Sequence, residues 1–150
     1  MRSYLVVLDE TPESRAALRF AARRAARTEG GVVILALIEP QEFVTWGAVQ
    51  ATIEEEARLR AEAMVVAASG AIVEEAGVRP SILVRQGVPE TVIAEVLGEN
   101  GEIASLVLGA AAEGGPGPLV TYFTTSAGAL TCPLIIVPGH LDDAALDRMS

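Results

Sequence analysis

No lysine occurs anywhere in this chain. Its eleven basic residues are all arginine, they stand against twenty carboxylates, and the formal net charge is −9. Nucleic acids and anionic membranes are bound largely by neutralising phosphates, so this balance excludes both as expected partners. Cysteine occurs once, at Cys132. That excludes an internal disulfide and fits a reducing compartment, so the expected location is the cytoplasm. Long apolar runs are missing as well: Val32–Ile38 and Leu134–Val137 are far too short to cross a bilayer. Residues 1–25 carry Asp9, Glu10, Glu13 and five arginines, so no secretory signal is expected. Histidine also occurs once, at His140. With one thiol, one imidazole, no metal-ligand spacing and no Gly-x-Ser-x-Gly turn, no catalytic constellation can be assembled. Neither enzymatic activity nor a bound metal is expected.

What is present is aliphatic and regular. Of 150 residues 51% are hydrophobic and only 4% aromatic, which suits one well-buried domain rather than a disordered chain. Tyr4–Leu8 reads as a buried strand ending at Asp9-Glu10. Thr11-Pro12 then reads as a helix cap with proline in the first turn, the helix running to about Thr28 and stopping at Glu29-Gly30-Gly31. Val32–Ile38 is a second strand, and Thr52-Ile53-Glu54-Glu55 matches a capping box opening a long helix to about Glu75. Ser81–Arg85, Ile103–Leu108 and Leu134–Val137 are three further strands. A short helix carrying Val92, Ile93 and Val96 and another from about Leu119 to Ala129 lie between them. Continuous apolar strands alternating with helices predict an α/β fold, a single doubly wound, five-stranded parallel sheet with helices on both faces. The expected strand order is 3-2-1-4-5, Rossmann- or flavodoxin-like, with residues 1–140 as one domain and 141–150 as a short tail helix. Ligands of such sheets sit beyond the carboxyl ends of the strands, here Asp9-Glu10, Glu39-Pro40, Arg85-Gln86 and Gly109–Pro118.

Several of these features in order resemble the universal stress protein (UspA-like) family. A first strand ends in Asp9, a long helix follows the second strand, and a glycine-rich loop follows the fourth. Cys132-Pro133-Leu134-Ile135-Ile136-Val137-Pro138 is similar to the family's last strand, and the resemblance spans residues 3–138. It implies a homodimer, often paired through that last strand, which makes Leu134, Ile135, Ile136 and Val137 candidate interface residues. Some members bind ATP. The resemblance places Asp9 at the nucleoside and a motif of Gly, two residues, Gly, nine residues, then Gly-Ser or Gly-Thr at the phosphates. The full candidate set is Asp9, Thr11, Ile38, Gly109, Gly114, Gly115, Gly117 and Thr121.

The chain departs from that motif. Gly109 matches its first glycine, but Ala112 holds the second position and Tyr122 the third. In their place stands Gly114-Gly115-Pro116-Gly117-Pro118, where two prolines remove backbone donors and Glu113 adds negative charge. The loop reads either as a plain glycine-proline turn or as a phosphate site using Gly114, Gly115, Gly117 and Thr121. The first reading gives a non-catalytic stress-response module with no cofactor. The alternative is a nucleotide switch holding ATP with magnesium and hydrolysing it slowly, and a flavin carrier on the same fold is a third.

Other features have plain readings beside functional ones. Asp9 is either a nucleoside contact or a carboxylate beside a helix N-terminus. Asp9-Glu10 is no phospho-acceptor pair, because no acceptor Asp ends the third strand and no lysine exists. Phe43 and Trp46 either pack their loop or cover a ligand. Arg15, Arg19, Arg23 and Arg27 form a stripe that reads as a solvated helix face or as a docking face for acidic groups.

Overall fold

A computed structural model describes residues 2–39 and 47–150. Five strands and five helices alternate: β1 (Ser3–Leu8), α1 (Pro12–Thr28), β2 (Gly31–Ile38), α2 (Gly47–Ala76), β3 (Ser81–Gln86), α3 (Pro89–Glu99), β4 (Ile103–Ala110), α4 (Pro118–Thr125), β5 (Leu134–Pro138) and α5 (Asp143–Met149). The sheet is parallel throughout, in the expected order β3-β2-β1-β4-β5.

Side chains alternate across the sheet, and each set finds its own cover. Tyr4, Val6, Leu8, Val32, Ile34, Ala36 and Ile38 face α1, α2 and Leu146 of α5. Leu5, Val7, Val33, Leu35, Leu106 and Leu108 face α3 and α4. Both faces being covered, β1, β2 and β4 must be apolar at nearly every position, which is why they are continuous runs rather than alternating ones. Ala17, Ala21 and Ala25 of α1 are fully buried. Without longer side chains between them, helix and sheet pack close. Among the described residues no helix is long and apolar enough to cross a membrane.

Three local expectations are corrected. The long helix starts at Gly47, so Thr52 lies inside it and the apparent capping box does not open it. An N-cap needs an extended backbone before the first turn, and the chain is already helical at Thr52. β4 runs two residues past Leu108, so Gly109 belongs to the strand, paired with Val137. The helix expected to reach Ala129 ends at Thr125, and a short 3₁₀ turn at Ala127–Ala129 follows. There the hydroxyls of Thr124, Thr125 and Ser126 donate to carbonyls three or four residues back, a bonding habit that weakens helices.

The first helix starts as its sequence predicts, with the Thr11 hydroxyl accepting from Ser14 N–H at 3.2 Å. At its other end the left-handed residue is Glu29, with φ of 55°, and not a glycine. Gly30 is needed for a different reason: a Cβ there would stand 2.8 Å from the carbonyl oxygen of Arg2.

Candidate functional site

Strand order reverses between β1 and β4, and the crevice at their carboxyl ends is where such sheets hold ligands. A cavity of about 800 Å³ opens there. Asp9, Thr11, Gly109, Gly117 and Thr121 all border it, together with Pro116 and Pro118. A smaller cavity of about 480 Å³ adjoins it, sharing Asp9 and Thr11 and adding Ile38, Ala61, Met64 and Arg60. Gly114 and Gly115 border neither among the described residues; both lie exposed on the outer part of the loop. Phe43, Trp46 and Pro40 lie outside the described residues.

Asp9 is already engaged by its own chain. Its Oδ1 accepts from Thr11 N–H at 2.8 Å and from the Thr11 hydroxyl, an Asx turn feeding the helix cap. Ser14, buried, closes the unit: its hydroxyl donates to the Asp9 carbonyl at 2.9 Å and accepts from Asp9 N–H at 3.1 Å. The first turn of α1 is thus locked to the end of β1. Asp9 borders both cavities, and only its Oδ1 is bonded to Thr11, so the helix-capping role and a ligand contact are compatible.

Gly109 sets how closely β4 approaches this turn. A Cβ on it would lie 1.9 Å from the Glu13 carbonyl oxygen, and one on Gly139 would lie 2.6 Å from Glu13 Cβ. The motif's first glycine is therefore required by packing whether or not anything binds.

The glycine loop closes on itself. Ala111 N–H donates to the Pro116 carbonyl at 3.2 Å, and Gly114, Gly115 and Gly117 take φ of 76°, 89° and 104°. Both the amide and the hydroxyl of Thr121 donate to the Gly117 carbonyl, at 3.1 and 3.0 Å. Pro118 opens α4, and Gly117 before it supplies no side-chain cap. A phosphate loop needs several free amides converging on one point. Here Pro116 and Pro118 have none, and those of Ala111 and Thr121 are already used.

The electrostatics of the larger cavity are one-sided. Asp9, Glu13, Glu39 and Glu90 border it, and no arginine or histidine does among the described residues. Arg85, one residue before the end of the third strand, is drawn away by a two-pronged pair with Glu99, at 3.1 and 2.7 Å. That pair lowers the Glu99 carboxyl and raises the Arg85 guanidinium from their ordinary values. Arg60 is the one cation bordering the smaller cavity among the described residues. The sequence reading missed Glu13, Ser14, Arg60 and Glu90. Only Glu13 and Glu90 carried a signal, each following a proline that opens a helix after a strand.

The arginine stripe has an intramolecular partner. Arg15 donates to the Glu10 carbonyl. Arg19 grips Asp147 with two bonds of 3.0 Å and also Glu75. Arg23 Nε stands 3.3 Å from Asp147 Oδ1 in an ion pair lacking hydrogen-bond geometry. Arg27 donates to the carbonyls of Asp147 and Ser150. The solvated reading of this face is corrected: it holds the acidic helix α5.

A family model described as the universal stress protein family matches residues 1–138. No curated protein sequence matches significantly. Among solved structures, the chain is similar to the universal stress protein UspA of Lactobacillus plantarum, with 17% identity, 91% of this chain and 97% of that one covered, and a TM-score of 0.77. It is similar also to the universal stress protein of Archaeoglobus fulgidus in complex with dAMP (17% identity, 91% and 98% covered, TM-score 0.60). A third is a universal stress protein family protein of Arabidopsis thaliana with AMP bound (14% identity, 92% of each chain covered, TM-score 0.56).

Proposed function

The chain belongs to the universal stress protein family, and from that premise we propose that it is a non-catalytic regulatory module of the stress response, working as a homodimer without strong ATP binding. The observation that carries this reading is the charge of the cleft. Four acidic residues border the larger cavity with no arginine or histidine among the described residues, and the loop beside it has no amide N–H at Pro116 or Pro118. ATP brings several negative charges, each of which such a cleft repels. The dimer rests on β5, an edge strand whose Leu134 and Ile135 are half-buried and whose Ile136 is exposed. An unpaired apolar edge favours pairing with a second copy.

A nucleotide switch is the second reading, supported by the solved relatives bound to AMP and dAMP and by the cavity that Asp9, Thr11, Gly109, Gly117 and Thr121 share. Calorimetric titration of nucleotide-stripped protein with Mg-ATP, AMP and adenosine separates the two. The regulatory reading expects no saturable heat with millimolar ATP. Micromolar ATP binding that weakens in Asp9→Ala would replace it with the switch.

A further inference from the structure

A surface helix of a soluble domain ordinarily has one apolar stripe, turned inward. Helix α2 has two. Ala61, Val65 and Ile72 are buried against the sheet, with Ala57, Met64 and Ala68 packed beside them. On the opposite side Leu59, Val66 and Val73 are 55%, 69% and 38% exposed. Ala63 and Gly70, also exposed, lie between them, so positions 59, 63, 66, 70 and 73 recur in alternating steps of four and three. That 3.5-residue period is the seam of a helix pair, and nothing among the described residues covers it.

We propose that this outer seam of α2 is a self-association surface, pairing antiparallel with α2 of a second copy of this chain. It is distinct from the β5 edge and does not rest on the proposed function. Side-chain size selects the direction. The seam alternates large residues with small ones. A parallel pair in register would set Gly70 against Gly70 and Ala63 against Ala63, leaving hollows. Running antiparallel, Val66 meets Gly70 of the second copy, Val73 meets Ala63, and Leu59 meets Gly77 just beyond the helix end. Each large side chain then fills the space above a small one, and the small residues let the axes approach to about 8 Å.

Charge supports the same register. In it Ala67 lies beside Ala67 of the second copy, and Arg60 lies opposite Glu74, a pair that the two-fold axis makes twice. Both side chains are exposed, and neither has an ion-pair partner among the described residues. On the other flank Glu62 faces Ala76 and Ser69 faces Ser69, so no like charges meet.

Sedimentation velocity of the full chain tests this, carried out in an Ile136→Glu background so that strand pairing cannot supply the dimer. The parent should associate at high micromolar concentration, and adding Val66→Glu should raise its dissociation constant about a hundredfold or more. Arg60→Glu should raise it about fivefold, and Arg60→Glu with Glu74→Arg should restore it. Circular dichroism of each variant should be unchanged, since all the substituted α2 positions are exposed. A monomeric parent, or association indifferent to Val66→Glu, would overturn the seam. A double charge swap no better than Arg60→Glu alone would overturn the antiparallel register.

Discussion

A Cβ on Gly109 would lie 1.9 Å from one backbone atom of Glu13 and 2.3 Å from another, and neither atom belongs to a flexible side chain. Gly109→Ala should therefore cost about 3 kcal/mol, as overpacking against rigid backbone does, read as a lower urea midpoint without any ligand present. A glycine serving only a phosphate would leave stability unchanged. Thr11→Ala removes both the cap on Ser14 N–H and the hydroxyl bonded to Asp9. It should cost about 1 kcal/mol in the same assay. Burial pushes the Cys132 thiol up, only partly offset by a hydrogen bond with the Leu106 backbone. Since the thiolate is the reactive form, Cys132 should react with a thiol reagent at neutral pH more slowly in the folded chain than in urea. Equal rates would contradict this partial burial.

At the scale of elements, α5 is held by charge as much as by packing. Leu146 enters the core, while Asp147 sits among Arg19, Arg23 and Arg27. The hydrogen bond from Arg19 is the main cause holding the Asp147 carboxyl below its ordinary value, and the nearby positive charges add to it. A carboxylate lowered on folding contributes stability above its unfolded pKa, about 4, and loses it as pH falls through the folded value. Protection of the α5 amides, relative to their intrinsic exchange rate at each pH, should therefore fall as pH drops below about 4, ahead of the rest of the domain. In Asp147→Asn the helix should be loose at neutral pH and its exchange less dependent on acid. The stripe of four arginines was plain in the sequence and its partner was not, because Asp147 lies 128 positions along the chain from Arg19. Caps, glycine stops and apolar spacing located the four helices between the strands, yet they could not show that α2 begins before Thr52 or that α4 stops at Thr125. Those ends depend on local backbone bonding, which apolar spacing does not record.

At the scale of the whole molecule, the ligand question and the assembly question separate. The cleft lies at the β1/β4 switch, whereas β5 and the outer side of α2 face other directions of contact. Ile136→Glu should shift the native chain toward monomer in sedimentation if the β5 edge is the principal interface. Its nucleotide titration should match the parent's, because Ile136 borders neither cavity. A change in both would mean that the cleft is completed across the dimer.

By itself the sequence determined the fold class and the family, while alternation alone leaves more than one doubly wound strand order open. Continuous aliphatic strands alternating with helices admit few topologies, and the burial they demand is written locally in each run. The run Gly114-Gly115-Pro116-Gly117-Pro118 was equally plain, since spacing and proline are properties of the chain. Only the tertiary structure decided where charge ends up. It gathered Asp9, Glu13, Glu39 and Glu90 around one cavity, turned Arg85 toward Glu99, and set the acidic tail on the arginine stripe. Electrostatic contacts depend on distance in space, and no local pattern encodes which distant residues a crossover helix will bring together.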